Sequence, residues 1–167
     1  RNKISDFNGN PFLLPNVIKK KKYKDILSMY KKTKLIGFSW RSESKSMARK
    51  SFNLDNFKKI LNMEKFGFVN LQYGNVSEEI KTFKNNNKNK IIDINKLDKF
   101  RDLDSLSSLI SCLDLVITVA NINVNFSSSL GVETWNIVYE DNEHFFYSKN
   151  GKINCEWNDK LKFFYIK

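Results

Sequence analysis

A run of small polar side chains directly follows an apolar segment in the second half of the chain. Residues 113–119 are almost all aliphatic or β-branched. Six amide and hydroxyl side chains follow at once: Asn121, Asn123, Asn125, Ser127, Ser128 and Ser129. A helix that starts after a strand presents unpaired backbone N–H groups, which bind oxyanions directly. The pattern therefore indicates either an anion-binding helix start or a loop that leads into a helix with no ligand.

The same side chains also have explanations that need no ligand. Ser127 and Ser128 are small enough to let a helix lie close to a sheet. Asn123 and Asn125 are of the type that caps a helix N-terminus. Gly131 predicts that the helix ends there, in a left-handed conformation. Ligand contact and packing therefore both stay open for these positions.

An anion at this helix start needs cations nearby. The helix dipole contributes about 0.3–1 kcal/mol, whereas a micromolar ligand needs roughly 8 kcal/mol in all. Four cationic side chains follow the first predicted strand, namely Arg41, Lys45, Arg49 and Lys50. Arg41 is the strongest candidate because a guanidinium pairs bidentately with phosphate. We expect the guanidinium of Arg41 and the N–H groups just past Val119 to converge on one spot that a pyrophosphate could fill.

The elements that would position these groups alternate along the chain. Four apolar runs have strand length and strand residue types, at 35–40, 66–72, 113–119 and 134–139, with a weaker run at 90–94. Helical patterns lie at 54–63, 77–84 and 102–114. Near the end, 161–166 fits a short strand or a helix turn, and 148–152 fits a hairpin.

Strand and helix in alternation predict an α/β fold, a Rossmann-like parallel sheet with helices on both faces. Parallel sheets bind ligands at the carboxyl ends of their strands. Three loops are therefore expected at one edge, formed by residues 39–41, 72–73 and 121–128.

The excess of positive over negative charge lies entirely in the first third of the chain. The net charge is +11, and residues 1–50 hold 14 Lys and Arg against 3 Asp and Glu, whereas residues 51–167 hold 15 of each. Residues 18–34 predict a basic amphipathic helix. We divide the chain into a basic segment with its helix, 1–33, and a binding domain, 34–167. Nucleic acid is the last-ranked partner, because aromatic rings do not alternate with the lysines as stacking requires.

Several classes of site find no support in the sequence. Cys112 and Cys155 are distant in sequence and favour buried thiols over a disulfide framework. His144 is the single histidine, so no zinc site and no other metal site is predicted. No apolar stretch approaches the roughly 18 residues of a membrane span. Without a visible signal peptide, the sequence predicts a cytoplasmic protein.

Four blocks, in chain order, resemble one enzyme family. They are "IGFSWRSES", "FVNLQYG", "DLDSLSSLISCLDLVITVANINVNFSSSLGVETWNIV" and "EWNDKLKFFY". They are similar to the C-terminal, nucleotide-sugar-binding half of GT-B glycosyltransferases. The resemblance is closest to bacterial tetratricopeptide-associated transferases of the O-GlcNAc-transferase and heptosyltransferase type. It covers essentially the whole chain and implies one half of a GT-B fold.

The resemblance implies roles for the predicted loops. Ser39, Trp40 and Arg41 would hold the phosphates of the donor, and Gln72 and Tyr73 would lie near its base or sugar. The helix after residues 113–119 would point its N-terminus at the diphosphate. Trp40 also has a packing explanation, and Gln72 also fits a side chain that satisfies backbone groups at a strand end.

The chain departs from the family pattern at that helix. The family has an Asp and a Thr directly after the strand and a His three or four residues later. Here those places hold Ala120, Asn121 and Asn125. A carboxylate, a hydroxyl and an imidazole are therefore replaced.

The resemblance implies a donor-binding domain of an inverting, metal-independent glycosyltransferase. It implies a nucleotide sugar as co-substrate, with unknown base and sugar, and no cofactor. Its partner would be an N-terminal acceptor or tetratricopeptide domain in a longer protein. No catalytic residue is identified, and the chain alone is expected to bind without turnover. The alternative is a degenerate, inactive relative that serves as an interaction module.

Overall fold

The computed structural model describes residues 9–42, 51–87, 91–139, 155 and 158–166. Helices and strands alternate along it, as the sequence predicts. The elements are α1 Val17–Ser28, β1 Lys34–Ser39, a 3₁₀ helix Leu54–Phe57, α2 Lys58–Leu61, β2 Phe66–Asn70, α3 Ser77–Asn86, α4 Leu103–Ile110, β3 Leu115–Val119, α5 Ile122–Ser129, β4 Thr134–Tyr139 and β5 Leu161–Ile166.

The strands form one parallel sheet with the order β2-β1-β3-β4-β5. This confirms the predicted Rossmann-like α/β fold. Segment 161–166 is a strand, because it pairs with β4 along its full length. The weaker run adds only one bridge, from Ile92 to Val69 at the β2 side. The predicted hairpin at 148–152 lies outside the described residues.

Helices pack on both faces of the sheet. We call the face that carries α1, α4 and α5 the first face and the opposite face the second. Hydrophobic residues of α1 and α4 join those of the strands on the first face, namely Tyr23, Leu27, Leu106, Leu109, Ile110, Val69 and Val116. The second face packs against the 3₁₀ helix, α2 and α3, with Phe57, Leu61, Ile80 and Phe83 on Ile36, Phe38, Phe68 and Ile117. The alternation of apolar side chains along each strand therefore supplies two cores.

The basic helix is packed onto the domain. It ends at Ser28, and it buries Tyr23 and Leu27 in the core of the first face. The Nζ of Lys19 lies 3.3 Å from a carboxylate oxygen of Asp102 and 2.9 Å from one of Asp104, both at the start of α4. A domain boundary between residues 33 and 34 stays a prediction.

Acidic residues lie at the starts of two helices, α3 and α4. The Asp102 carboxylate caps α4 by accepting the Ser105 N–H at 3.0 Å. Hydrogen bonds from Ser105 hold the pKa of Asp102 below its ordinary value. Helix α3 starts at Ser77 as predicted, although the cap position is Val76 and makes no side-chain hydrogen bond.

The end of α5 confirms the role predicted for Gly131. Gly131 has φ +81°. Its N–H donates to the Ser128 carbonyl at 3.1 Å, and the Val132 N–H donates to the Ser127 carbonyl at 3.0 Å. This pair of bonds is a Schellman motif, which closes the helix before β4.

Gly131→Ala is expected to lower the free energy of unfolding by about 1–2 kcal/mol, because a Cβ strains a left-handed residue. An added Cβ would also lie 2.7 Å from Cγ of Pro11. Urea unfolding measures the change. The double variant Gly131→Ala with Pro11→Ala removes that contact and separates the two causes. If it recovers all the stability lost in Gly131→Ala, backbone strain is not the reason.

Part of the second face carries no helix among the described residues. An apolar groove runs over the later strands there, lined by Ile60, Met63, Leu115, Trp135, Ile137, Phe164 and Ile166. By contrast, Cys155 packs with Val124 and Val138 beside α5. Considering only the residues that the structure describes, β4 and β5 are thus covered on the first face and open on the second.

Asp114 joins the amino ends of β1 and β3. Its carboxylate accepts the Leu35 N–H at 2.8 Å and lies 2.9 Å from Nζ of Lys34. Partial burial raises the pKa of Asp114, but the Leu35 N–H and the Lys34 ammonium outweigh it, so the pKa is lowered. The carboxylate form is therefore preferred in the folded protein.

This pairing predicts a pH-dependent stability. A lowered folded pKa gives stability that is present above the unfolded pKa, about 3.9, and lost as pH falls through the folded value. The side chain is exposed enough that the gain is under about 1 kcal/mol. Urea unfolding from about pH 2 to pH 7 should show a smaller acid decrease for Asp114→Asn than for wild type or Asp25→Asn. A constant difference between Asp114→Asn and wild type at all pH values would contradict this.

Candidate functional site

Three strand ends meet at one edge of the sheet. Because β1, β2 and β3 are adjacent and parallel, the residues after each strand lie along the same rim. We call this rim the carboxyl edge. Loops 39–41 and 72–73 and the start of α5 are joined there by side-chain hydrogen bonds. Their juxtaposition is as the sequence predicts.

Gln72 connects the loops that follow β1 and β2. Its side chain is buried, and its Oε1 accepts the N–H of Trp40 at 3.0 Å and of Arg41 at 2.8 Å. Its Nε2 donates to the Tyr73 carbonyl at 3.0 Å. Both ends of the amide therefore satisfy backbone groups at the strand ends. This is the packing role considered for Gln72 from the sequence. Ligand contact by Gln72 stays a prediction.

Asn121 connects the start of α5 to the Arg41 loop. Its Oδ1 accepts the Asn123 N–H at 2.9 Å and so caps the helix. Its Nδ2 donates to Oγ of Ser39 and to the carbonyl of Arg41, both at 3.1 Å. The backbone of Arg41 and the N-terminus of α5 are therefore neighbours.

Asn123 lies beneath this contact and is fully buried. Its Nδ2 donates to Oγ of Ser39 at 3.1 Å and to the Leu71 carbonyl at 3.2 Å. Its Oδ1 is buried and has no hydrogen-bond partner within the described part of the chain, and the same is true of Oδ1 of Asn136. Asn123 thus connects the ends of two strands, β1 and β2, to α5.

The two serines of α5 lie between the helix and the sheet. The Ser128 hydroxyl donates to the Val124 carbonyl at 2.7 Å, one turn earlier. Ser127 does the same to Asn123, and it also accepts from the Thr134 hydroxyl at 2.7 Å. Both side chains are buried, so their small size lets α5 approach β3 and β4. Asn125 is exposed on the outer side.

The side chain of Arg41 turns toward α3. Its Nη1 lies 3.4 Å from Oε2 of Glu79. The other oxygen of Glu79 accepts the indole N–H of Trp40 at 2.9 Å and the Leu54 N–H at 3.2 Å. The backbone of Arg41 therefore lies at the α5 start, whereas its guanidinium is paired with α3 on the other side of the rim. The prediction that the guanidinium converges with the N–H groups past Val119 is therefore wrong for this structure, because the Glu79 carboxylate attracts the guanidinium instead. Three further predicted cations, Lys45, Arg49 and Lys50, lie outside the described residues.

Glu79 is a site residue that the sequence reasoning missed. A signal was available, because α3 follows β2 and so begins at the carboxyl edge, where an acidic residue can reach an arginine on the neighbouring strand end.

A second missed group borders Tyr73. The Asp93 carboxylate accepts from Nδ2 of Asn70 at 3.0 Å and from Nζ of Lys99 at 2.8 Å. Burial raises the pKa of Asp93, but the Lys99 ammonium and the Asn70 hydrogen bond have the larger effect, so the pKa lies below its ordinary value. Beside this cluster, the rings of Tyr73 and Phe100 lie 6.0 Å apart. Phe100 is 68% exposed, so it presents an aromatic surface at the rim.

The carboxyl edge carries helix N–H groups, a type of donor that binds anions in proteins, and its described residues form no metal-ligand set. Within the described residues, no group of three or more His, Cys, Asp or Glu side chains is placed to hold a metal ion. The rim offers helix N–H groups, amide side chains and one guanidinium. Among those same residues, no helix combines the length and the hydrophobicity that crossing a bilayer would need.

Two solved structures have a similar fold. The chain has a TM-score of 0.70 and 14% identity to a family 9 glycosyltransferase from Veillonella parvula, covering 95% of this chain and 43% of that one. It has a TM-score of 0.63 and 14% identity to the E. coli ADP-heptose LPS heptosyltransferase II, covering 91% and 44%. At this identity, the likeness shows a shared fold. The chain spans less than half the length of either structure.

One curated protein is similar in sequence. The chain is 29% identical over 124 residues to the protein FlbA of Caulobacter vibrioides. The match covers 73% of this chain and 21% of FlbA, so the chain spans about a fifth of that protein. No protein-family model matches the chain.

Proposed function

We propose that this chain is the donor-binding domain of a GT-B glycosyltransferase and that it binds the diphosphate of a nucleotide sugar at the carboxyl edge. The observation that carries the proposal is the contact between Asn121 and Arg41, which brings a helix N-terminus and an arginine to one rim. The shared fold with two sugar transferases supports it. So does the order of the four sequence blocks.

The chemistry of the rim suits a diphosphate leaving group. When the bond to the sugar breaks, negative charge develops on the phosphate oxygens. Oriented N–H groups stabilise such charge without reorganisation. The Arg41 guanidinium would join them by turning from Glu79, with which it is paired in the absence of ligand. Because these donors are backbone and side-chain N–H groups, we propose a metal-independent reaction. Inversion at the sugar is proposed from the family resemblance alone.

The remaining machinery is proposed to lie elsewhere in a longer protein. The acceptor must be held in line with the sugar while the diphosphate leaves. The chain spans less than half of the similar transferase structures, which supports an additional acceptor domain. A tetratricopeptide domain is a further proposal from the resemblance. We expect this chain alone to bind donor without transferring sugar.

A thermal-shift experiment tests the proposal. UDP, GDP and ADP are each added at about 1 mM, and the midpoint of unfolding is compared with and without ligand. A ligand at 100 times its Kd stabilises by about 2.7 kcal/mol, which raises Tm by several degrees in a domain of this size. Inorganic phosphate at equal concentration controls for ionic effects. The absence of a shift with all three nucleotides would overturn the proposal.

A second function, that of an interaction module without a donor site, is favoured by one observation. The polar groups beneath the α5 start are already bonded to one another, as Asn123 is to Ser39 and Leu71. Replacing Arg41 and Asn121 by Ala would then leave partner binding unchanged. If those changes instead abolish the nucleotide-induced shift, the donor-binding proposal is supported over this one.

A further inference from the structure

We propose that an exposed patch at the start of α1 binds the surface of a membrane that contains anionic phospholipids. The patch combines four exposed apolar side chains with three exposed lysines, and we call it the N-terminal patch. Its members are Phe12, Leu14, Val17, Ile18, Lys21, Lys22 and Lys24.

The four apolar side chains of the patch project into solvent. Phe12 is 68% exposed, Leu14 93%, Val17 79% and Ile18 82%, whereas Leu13 is only partly exposed. Single exposed apolar side chains are common on protein surfaces, but a cluster of large ones marks an interaction site. Four of them within residues 12–18 therefore indicate a surface that a partner covers.

The backbone that carries these side chains is bonded to the domain. The N–H groups of Phe12 and Leu13 both donate to the carbonyl of Ser129, at 3.0 and 3.1 Å. The Asn16 side chain accepts the Lys19 N–H at 3.1 Å and so caps α1. Ser129 is the last residue of α5, at the opposite end from the proposed donor site. Membrane binding here is thus independent of the proposed function.

The outer side of α1 continues the patch with positive charge. Tyr23 and Leu27 are buried against the domain, so the side of the helix that faces solvent carries Lys21, Lys22 and Lys24. These lysines begin one turn after the first apolar side chain of the helix. The apolar and the basic halves of the patch are therefore neighbours on one surface.

The lysines of the patch are not neutralised within the described part of the chain. Lys19 on the same helix lies 3.3 Å from Asp102 and 2.9 Å from Asp104. The three lysines of the patch make no such ion pair with a described residue. Residues 9–24 also contain no Asp or Glu. The partner that complements this surface is therefore negatively charged.

An anionic bilayer matches both halves of the patch. Exposed apolar side chains enter the boundary between the headgroups and the acyl chains, while lysines stay at the level of the headgroups and are attracted by anionic lipids. The apolar side chains stand out from the protein instead of lining a groove, and a lipid layer rearranges around such side chains without a preformed cavity. Nucleic acid would satisfy the lysines but leave the apolar side chains in water.

Vesicle flotation with the 167-residue chain tests the proposal. One set of vesicles is phosphatidylcholine alone, and the other contains about 30% phosphatidylserine, a typical anionic lipid. We expect the partition coefficient to be about ten- to a hundredfold higher on the anionic vesicles, since each of the three lysines adds several-fold. It should fall at least about tenfold when NaCl is raised to about 0.5 M, because salt screens this attraction.

Two variants separate the halves of the patch. Leu14→Asp combined with Ile18→Asp is expected to lower the partition coefficient on anionic vesicles at least about tenfold, because charge replaces the inserted side chains. The triple change of Lys21, Lys22 and Lys24 to Gln is expected to lower it about ten- to a hundredfold on anionic vesicles and to leave it unchanged on phosphatidylcholine. All five side chains are exposed, so both variants should keep the midpoint of thermal unfolding.

Matched controls carry the same changes outside the patch. Phe100→Asp with Met63→Asp changes two other exposed apolar side chains. The triple change of Lys58, Lys59 and Lys65 to Gln removes the same charge from three other exposed lysines. We expect both controls to bind anionic vesicles within about twofold of wild type.

Four results would each rule the proposal out. They are no binding of wild type to anionic vesicles, equal partition on the two kinds of vesicle, an equal loss in the controls, and undiminished binding of the Leu14→Asp, Ile18→Asp variant. In the last case the contact is electrostatic alone. If a generic oligonucleotide binds the chain while anionic vesicles do not, the lysines belong to a nucleic-acid site instead.

Discussion

Trp40→Ala is expected to lower the free energy of unfolding by about 3–5 kcal/mol, the range for deleting a large buried aromatic side chain. Trp40 is fully buried, stacks on Phe38 with ring centroids 5.5 Å apart, and donates its indole N–H to Glu79. The change therefore creates a cavity and also removes a hydrogen bond from a partly buried carboxylate. Urea or thermal unfolding measures it directly.

Two variants show which part of the indole matters. Trp40→Phe keeps most of the ring but removes the N–H, so we expect a loss of about 1–3 kcal/mol, typical of a hydrogen bond to a charged group. Trp135→Ala is the comparison in the open groove of the second face, where the ring is only partly buried, and its effect should be clearly smaller. If Trp40→Ala and Trp135→Ala lowered the free energy of unfolding equally, the burial of Trp40 would not be the cause of its large expected loss.

Asn123→Ala is expected to destabilise the domain by about 1–3 kcal/mol, the cost of leaving a buried polar group without its partner. The Asn123 side chain supplies donors to Oγ of Ser39 and the carbonyl of Leu71. Both acceptors lie in the interior, where water does not replace the lost donor. The free energy of unfolding, measured in urea, is the readout.

Asn125→Ala is the matched control on the same helix. Asn125 is exposed on α5, and surface changes are usually within about 0.5 kcal/mol. Similar losses for the two variants would contradict the structural role given to Asn123. If Asn123→Ala also abolishes the nucleotide-induced shift while the protein stays folded, the buried network and the proposed site are coupled.

The fold could be predicted because its signals are local. Apolar runs of strand length alternate with segments of helical period, and each of these patterns can be recognised within a few residues. Gly131 was predicted to end a helix because only the left-handed conformation explains a glycine there. Segment 161–166 was ambiguous, because its strand character comes from pairing with β4, and pairing is not a property of the segment alone.

The site could be predicted only in part. Strand order in a parallel sheet places the loops after β1, β2 and β3 on one rim, so their proximity follows from topology. The direction of the Arg41 side chain does not follow from topology. It depends on the carboxylate of Glu79, which lies 38 positions later in the chain. Likewise, composition shows that Ser127 and Ser128 are small but not that both are buried against the sheet.

By itself, the sequence determined a parallel α/β domain, a helix start just past Val119 and an arginine after the first strand, whereas the structure shows that Asn121 caps this helix rather than Asn123 or Asn125. These follow from periodicity, capping preferences and the order of elements, which act over a few residues. Only the tertiary structure decided which polar groups are hydrogen-bonded within the protein and which face outward. That division depends on contacts between residues far apart in the chain, where desolvation and hydrogen-bond geometry outweigh any local preference.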